Sequence, residues 1–399
     1  MSFDYSVLSN TEDGVTNTWR EIYAEDLPLP VNLLLILQQA VFLPHDFYDI
    51  ITAYFLLPSA LCNVVPYLFF HGQSGSGKSA LSKIAKYLHG VEFNSSSDTF
   101  AGIRNDLDQR KAAWVEATAL NGDGEPYSYR KKVEKNTAMV WDDLDADIFT
   151  RSPDLYRLLK FGYDRTTDKI TLSSKEVGEN LTFRCFCPKI FSSITPLHLD
   201  DRFKELKRRL IVIPCCRVEE LSKERLAEQN ITVDDWQSKL LKIDAYDWTG
   251  FSTLFQGYWD LDMARLFFET RQKLVQSGTG LNSQQLAIST DLLATGIASG
   301  IWESQEYAVS RMKTYWQWFK GETEGGTSLG QLLKGFLAAE AKNARASGRP
   351  PEVYSQAVYS QVKAWVDMNW LLEPPKNKEV ANLMYDQGWR FKEGRWSKG

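Results

Sequence analysis

The spacing of apolar and polar positions changes along the chain and divides it into regions. Residues 1–62 contain two apolar segments of helical length, Leu33–Val41 and Phe47–Leu57. Residues 63–217 alternate short apolar runs with polar connections, which is the pattern of strands and helices around a parallel sheet. The strands predicted there are Tyr67–Phe70, Met139–Trp141, Ile190–Ile194 and Leu210–Ile213. We therefore predict an α/β fold for the central region, preceded by helices.

The remainder of the chain is predicted to be mainly helical. The pattern is helical and aromatic from residue 218 to 320, and "GETEGGTS" at Gly321–Ser328 predicts a flexible break. The final segment is predicted to form helices followed by a short aromatic-basic strand, an order that suggests a winged-helix module. The predicted domains are an N-terminal helical segment for oligomerisation (1–62), a core (63–217), a helical region (218–320) and a winged-helix-like module (328–399).

Composition and charge narrow the class of protein. Hydrophobic residues make up 43% of the 399 positions and charged residues 24%, as in soluble globular proteins. The apolar stretch 31–70 is interrupted by polar residues and prolines, so it lacks the ~20 consecutive apolar residues that a membrane helix needs. The first residues of the chain are polar, and we therefore predict no secretory signal. Five cysteines without a C-x-x-C pair and only four histidines argue against a zinc site and favour a cytoplasmic location. The net charge of −5 argues against a protein coated in nucleic acid, but not against one that binds a strand at few points.

A phosphate-binding motif follows the first predicted strand of the core. The segment "GQSGSGKS" fits G-x-x-x-x-G-K-[ST] in full, and it opens a predicted helix, Lys78–Leu88. Gly75 and Gly77 allow backbone N–H groups to face phosphates at the positive end of that helix. We expect Lys78 to contact the β- and γ-phosphates of ATP and the Ser79 hydroxyl to bind Mg²⁺. The predicted nucleotide-binding residues are Gly72, Gln73, Ser74, Gly75, Ser76, Gly77, Lys78 and Ser79.

A pair of carboxylates follows the second predicted strand. In "AMVWDDLD" the apolar residues end in Asp142 and Asp143, about sixty residues after the phosphate-binding loop. Phosphoryl transfer needs a carboxylate for the metal and a group that positions the nucleophile. We predict that Asp142 holds Mg²⁺ and that Asp143 orients or deprotonates the attacking water.

A long polar hairpin is predicted just before the third strand. Two alternating segments, Lys169–Ser173 and Leu181–Cys185, flank a turn that has Lys175 at its tip. Taken alone, such a segment is an ordinary surface hairpin.

The order of these motifs resembles the superfamily-3 helicases, which are AAA+-type hexameric motors of small DNA viruses, phages and plasmids. The resemblance covers about residues 63–217 and rests on the phosphate-binding loop, "VWDD", the hairpin at 167–186, "CPKIFSSIT" and "LKRRLIVI". It implies a central channel around single-stranded DNA, with Lys175 contacting the DNA backbone and Lys169 as a weaker candidate. It also implies that Arg209 reaches the ATP of a neighbouring subunit, although Arg208 and Arg202 are close enough to be confused with it.

One position departs from that family. The family usually ends its third motif strand with an asparagine that positions the attacking water, whereas this chain has "FSSIT". We predict that Thr195 takes this role, with Ser192 and Ser193 as alternatives, because a hydroxyl can also hold water. No primase or endonuclease motif is visible, so we expect any such activity to belong to a replication partner or to a part of the protein outside this chain.

Three classes of function remain open from the sequence. The first is an ATP-dependent DNA helicase or translocase that works as a ring in the replication of a plasmid, phage or similar element. The second is an AAA+-type ATPase that remodels or loads proteins without unwinding DNA. The third is a scaffold whose assembly depends on bound nucleotide. Stimulation of ATP hydrolysis by single-stranded DNA distinguishes the first class from the second. Slow hydrolysis that is indifferent to DNA, together with nucleotide-dependent assembly, would favour the third.

Overall fold

The computed structural model describes most of the chain. The described residues are 17–95, 97–110, 112–120, 125–145, 147–173, 180–221, 226, 232–325, 329–368 and 377–398. They form two compact units, Met1–Lys313 and Thr314–Gly399. The division falls inside the helix Gln305–Lys320, just before the predicted break. The finer domains predicted within the first unit stay a prediction.

Strands and helices alternate through the first unit. The described strands of the chain are β1 (Asn17–Thr18), β2 (Tyr67–His71), β3 (Phe93–Asn94), β4 (Ala112–Leu120), β5 (Pro126–Glu134), β6 (Met139–Trp141), β7 (Lys169–Ser173), β8 (Asn180–Arg184), β9 (Lys189–Ser193), β10 (Leu210–Pro214), β11 (Tyr246–Asp247), β12 (Glu352–Tyr354), β13 (Trp389–Lys392) and β14 (Arg395–Lys398). The described α-helices are α1 (Leu29–Ala40), α2 (Tyr48–Phe55), α3 (Lys78–His89), α4 (Phe100–Arg110), α5 (Ile148–Arg151), α6 (Pro153–Phe161), α7 (Lys204–Lys207), α8 (Val233–Lys239), α9 (Phe251–Tyr258), α10 (Leu261–Gln276), α11 (Ser283–Ala298), α12 (Gln305–Lys320), α13 (Leu329–Ala346), α14 (Ser355–Met368) and α15 (Asn377–Asp386).

A five-stranded, all-parallel sheet forms the centre of the first unit. Its strand order is β10-β2-β9-β6-β3, so β2 lies between β10 and β9. Tyr67 at the start of β2 pairs with Leu210 on one side and Lys189 on the other. Every side chain of β2, β6, β9 and β10 is buried, as expected of a parallel sheet covered on both faces by helices. The prediction of an α/β core with a parallel sheet is confirmed.

The predicted strands and N-terminal helices agree with the structure to within a few residues. Met139–Trp141 is confirmed as predicted, and the other three strands shift or extend by one residue. The two apolar segments of the N-terminal region form α1 and α2. The edge strand β3 was not predicted because it has only two residues, too few for a detectable alternation.

Two antiparallel ribbons extend from this unit. The predicted hairpin is present as β7 and β8, with Lys169 opposite Arg184 and Ser173 opposite Asn180. Its tip, which includes Lys175, lies outside the described residues. A second ribbon, β4–β5, pairs nine residues on each strand and was not predicted. The basic run at 130–132 lies on β5.

The second unit has its own small core. Its elements follow the order helix, strand, helix, helix, strand, strand from α13 to β14, and the strands form an antiparallel sheet in the order β12-β14-β13. Glu393 and Gly394 join β13 to β14 with φ angles of 48° and 79°, the backbone of a tight hairpin turn. The buried side chains include Leu333, Met384 and Trp389. Over the whole described chain, no helix is long and apolar enough to cross a membrane.

Candidate active site

The predicted site residues of the loop and the acidic pair lie at one edge of the parallel sheet. The phosphate-binding loop follows β2, Asp142 follows β6, Ser192 lies near the end of β9, and Arg217 comes after β10. Parallel strands present their carboxyl ends at the same edge, and this is where open α/β sheets bind ligands. Because β9 is inserted between β2 and β6, its last residues lie between the loop and the carboxylates.

The loop needs glycine at three positions. Gly75 and Gly77 have φ angles of 80° and 88°, which side-chain-bearing residues rarely adopt. A Cβ at Gly77 would also lie 2.5 Å from the Val41 side chain, and one at Gly72 would lie 2.1 Å from the Cys215 carbonyl oxygen. The loop is therefore packed tightly between the segments that follow α1 and β10.

Lys78 is held inside the loop. Its Nζ donates hydrogen bonds to the carbonyl oxygens of Gly72 and Gln73, each at 2.7 Å, and only 6% of the residue is exposed. Burial lowers the pKa of Lys78, while the negative charges of Asp142 and Asp143 act in the opposite direction. The ammonium group is thus held against the loop and within electrostatic reach of the acidic pair, and a bound phosphate would bring compensating charge.

The two carboxylate residues are joined through one serine. The Ser192 hydroxyl donates to Asp142 Oδ1 at 2.6 Å and accepts from the Asp143 backbone N–H at 2.7 Å. Asp143 has a φ of 54°, a left-handed conformation that is uncommon for a residue with a side chain. Such backbone conformations occur preferentially at functional sites. The turn leaves the Asp143 side chain exposed and the Asp142 side chain half-buried.

The three candidate hydroxyls at the end of β9 have different partners. Ser193 Oγ donates to the Leu144 carbonyl at 2.7 Å and accepts from the Thr195 N–H at 3.1 Å, so it supports the backbone. Ser192 Oγ is bound to the acidic pair, as described above. Thr195 is exposed just beyond the strand. The assignment of the water-positioning role to Thr195 stays a prediction, and Ser192 has a direct geometric link to the carboxylates.

Ser192→Ala is expected to reduce ATP hydrolysis by about 10–100-fold, because groups that orient metal-binding carboxylates typically contribute that much. Both Asp142 and the Asp143 turn lose a hydrogen bond in this variant. Steady-state ATPase rates over a Mg²⁺ titration measure the effect, which should include a weaker apparent affinity for Mg²⁺. Ser193→Ala is the matched control, since it removes the neighbouring hydroxyl without touching either carboxylate. Equal effects of the two substitutions would reduce Ser192 to a structural role.

A second cation adjoins the loop and was not predicted. Arg217 Nε donates to the Ser74 carbonyl at 2.5 Å, and its guanidinium lies 3.1 Å from the position of a Cβ on Gly75. Together, Lys78 and Arg217 bind three consecutive carbonyls of the loop. The sequence could have indicated this residue, because Arg217 is the first positively charged side chain after the predicted buried strand "LIVIP".

An open cavity of about 440 Å³ continues from the loop and was also missed. Four parts of the chain line it: the end of α1, the loop with the start of α3, the segment after β10, and α8. The lining residues include Val41, Phe42, Gly75, Gly77, Arg217 and Trp236. The Phe42 and Trp236 rings meet edge to face, with centroids 5.7 Å apart. This cavity offers apolar and aromatic surface beside the phosphate-binding loop.

Arg209 lies at the opposite edge of the sheet. Its carbonyl accepts a hydrogen bond from Tyr67 N–H at 2.7 Å, at the start of β2. The five residues of β2, at ~3.3 Å each, put about 16 Å between this edge and the loop of the same chain. The Arg209 guanidinium packs 4.4 Å from the Tyr163 ring centroid and donates to the Glu205 carbonyl.

The neighbouring arginines differ from Arg209 in exposure. Arg208 is exposed, whereas the Arg209 side chain is only 13% exposed. Arg202 is paired with Asp200, with Nη2 and Oδ2 2.7 Å apart. Arg208 is therefore the arginine of this group that is most available to a neighbouring molecule. The predicted role of Arg209 is not tested by these contacts.

The predicted Mg²⁺ site would be shared between the protein and the phosphates of the nucleotide. Within the described ranges, no group of three or more His, Cys, Asp or Glu side chains could hold a metal ion. Mg²⁺ is usually bound through one or two carboxylates together with phosphate oxygens, rather than by a protein cage. The assignment of Mg²⁺ to Asp142 and Ser79 stays a prediction.

Comparisons with known proteins do not identify a family. No protein-family model matches the chain, and no curated protein matches it. Among solved structures it is similar to one described as "SCCmec type IV Cch - active helicase", with 13% sequence identity and a TM-score of 0.33. The similarity covers 86% of this chain and 64% of that one, so the chain spans less than two thirds of that protein's length. A similarity this distant carries no functional argument, and the function has to be argued from the site.

Proposed function

We propose that this chain is an ATP-dependent DNA helicase or translocase that acts as a ring oligomer in the replication of a plasmid, phage or similar element. One observation carries the proposal: a complete phosphate-binding loop faces an acidic pair across a strand that is immediately preceded by a long hairpin. The loop and the acidic pair are the parts of an ATPase site. The hairpin connects that site, through β9, to a projection that can contact a strand of DNA.

The site supports a simple hydrolysis mechanism. The nucleoside part of ATP enters the 440 Å³ cavity, where the half-buried Trp236 ring provides stacking surface for the base. Lys78 exchanges its carbonyl partners for the β- and γ-phosphates. Asp143 orients a water molecule and accepts its proton, while the water oxygen bonds to the γ-phosphorus and the bond to the β-phosphate oxygen breaks. Ser79 and Asp142 would hold Mg²⁺, which would supply neutralisation of the charge on the phosphates.

The placement of Arg209 supports a ring rather than a self-contained ATPase. An arginine about 16 Å from the loop of its own chain cannot contact the ATP bound there. A head-to-tail ring joins two different surfaces of adjacent subunits, and we propose that the edge carrying Arg209 is the surface that meets a neighbour's site. The resemblance implies six subunits around single-stranded DNA. It also assigns the channel contacts to Lys175 and, at the exposed base of the ribbon, Lys169.

The second unit supports a DNA-related role. We propose that it is the winged-helix-like module predicted from the sequence, a proposal supported by its order of helices and strands and its β12-β14-β13 sheet. We propose that it binds DNA or a replication partner, with the hairpin residues Arg390, Lys392 and Arg395 among its contacts. All three are exposed.

Single-stranded DNA is expected to stimulate ATP hydrolysis by the parent protein, and Lys175→Ala should reduce that stimulation. Each subunit loses one phosphate contact, so the salt dependence of DNA binding should also become shallower. The measurement is the ratio of ATPase rates with and without an oligonucleotide, at several salt concentrations. Lys169→Ala should have a smaller effect in the same direction.

Lys273→Ala is the control for a lost lysine, because Lys273 is exposed on the helix α10 and is not part of the ribbon. ATP hydrolysis that is indifferent to DNA in the parent protein would contradict the proposal and favour a protein-remodelling ATPase. If DNA stimulated ATP hydrolysis by the Lys175→Ala variant as strongly as by the parent protein, the hairpin would be an ordinary surface ribbon without a role in DNA binding.

A further inference from the structure

The second unit carries an open groove of about 610 Å³. It lies between α14, α15 and the β13–β14 hairpin, on top of the small core of that unit. The residues that line it are Ser355, Gln356, Val358, Tyr359, Val362, Asn377, Val380, Ala381, Tyr385, Phe391 and Trp396. Its volume is within the range of sites that hold small molecules or parts of larger ones.

The exposed apolar surface around the groove is aromatic. In the described part of this unit, the large hydrophobic side chains that are exposed are Tyr354 (60%), Tyr359 (66%), Tyr385 (42%) and Phe391 (49%). Three of them line the groove, and Tyr354 lies on the adjacent strand β12. Exposed rings of this kind present flat faces on which other flat groups can stack. Aliphatic side chains dominate the exposed apolar positions of the first unit, so the aromatic set is a local feature.

Cations lie among these rings. The Arg390 guanidinium is 5.6 Å from the Tyr385 ring centroid, and that of Arg395 is 4.6 Å from the Tyr354 centroid. Lys392 is exposed on the same hairpin. Segment 314–399 has twelve Lys and Arg against nine Asp and Glu, a net charge of +3, in a chain whose total is −5. The positive surplus of an acidic protein is therefore concentrated in the unit that carries the groove.

We propose that this groove binds unpaired bases of single-stranded DNA. Proteins that hold single strands combine aromatic platforms for the bases with cations for the backbone, and arginine adds cation–π contacts. Here Tyr359 and Tyr385 are the stacking surfaces, and Arg390 and Lys392 face the phosphates. Bases inside a duplex are stacked on each other and cannot reach these rings. The inference rests on the proposed DNA-binding role of the second unit, and it does not depend on ATP hydrolysis by the first.

The test uses the full chain without nucleotide and measures fluorescence anisotropy with three labelled probes. These are an oligothymidine, an abasic oligonucleotide of the same length, and a duplex. Tyr359→Ala and Tyr385→Leu should each weaken oligothymidine binding by about tenfold, while affinity for the abasic probe stays unchanged. Tyr385→Phe keeps the ring and should bind like the parent.

Tyr307→Ala is the control for a lost exposed ring, because Tyr307 is 45% exposed on α12 in the first unit. Thermal unfolding of each variant verifies that the second unit is folded. Parent-like oligothymidine affinity in the folded Tyr359→Ala and Tyr385→Leu variants would overturn the proposal. Equal losses with the oligothymidine and the abasic probe would also overturn it, since the groove would then act on the backbone only. A groove that binds a helical peptide of leucine and glutamate, with DNA affinity independent of both tyrosines, would be a protein-docking site instead.

Discussion

Lys78→Ala is expected to abolish measurable ATP turnover while leaving the protein folded. Lys78 Nζ contacts two carbonyls of the loop, Gly72 and Gln73, and these can be solvated when the lysine is removed. The loss at the phosphates is much larger, because a positive group aimed at developing charge typically contributes 10²–10³-fold or more. Steady-state ATP hydrolysis measures the effect, and circular dichroism with thermal unfolding verifies the fold.

Lys86→Ala is the matched control for Lys78→Ala. Lys86 is on the same helix, α3, about 12 Å further along its axis than Lys78, and is paired with the exposed Glu92 at 2.6 Å. A surface pair of this kind contributes about 0–1 kcal/mol, so the control should hydrolyse ATP at the parent rate. Near-normal turnover by a folded Lys78→Ala protein would refute the assignment of the nucleotide site.

Arg209→Ala is expected to lower ATP hydrolysis by about 10³–10⁵-fold, equivalent to about 4–7 kcal/mol, if Arg209 stabilises the transition state in an adjacent subunit. Lys78→Ala is inactive for a different reason, because the lysine belongs to the subunit that binds the ATP. Mixing the two inactive variants in equal amounts should therefore restore activity. About a quarter of head-to-tail interfaces then combine an intact Lys78 with an intact Arg209.

Rescue distinguishes a shared site from a self-contained one. If Arg209 acted within its own chain, no subunit in the mixture would have both residues and activity would stay at background. Differential affinity tags verify that mixed assemblies have formed. The same mixture with Arg208→Ala belongs in the experiment, because Arg208 is exposed whereas Arg209 packs on Tyr163. Suppose that mixing Arg208→Ala with Lys78→Ala restored ATP hydrolysis and that Arg209→Ala were fully active by itself. Arg208 would then be the arginine that acts on the ATP of the adjacent subunit.

The sheet and the loop were predictable because their signals are local. Buried parallel strands appear as short apolar runs, and the loop requires glycine and lysine at fixed spacing. The hairpin β7–β8 was predictable from its alternation, with its second arm displaced by one residue. The second ribbon could have been found as well, because "NGDG" separates two segments that contain β-forming residues.

The remaining parts of the site depend on distant segments meeting in space. Ser192 binds Asp142 across fifty positions of sequence, and Arg217 binds Ser74 across 143. The cavity beside the loop depends on Phe42 and Trp236 coming together, which no local pattern indicates. The burial of most of the Arg209 side chain could likewise not be predicted from a sequence motif. Side-chain contacts of this kind are determined by packing, and sequence spacing alone does not predict them.

Strand displacement tests the central claim most directly. A forked duplex with single-stranded tails is incubated with the parent protein and ATP, with a non-hydrolysable ATP analogue, or with Lys78→Ala and ATP. An ATP-dependent helicase should release the labelled strand only in the first reaction. Robust DNA-stimulated ATP hydrolysis without strand release would indicate that the protein is a translocase and not a helicase. ATP hydrolysis with neither strand release nor stimulation by DNA would contradict the proposed function.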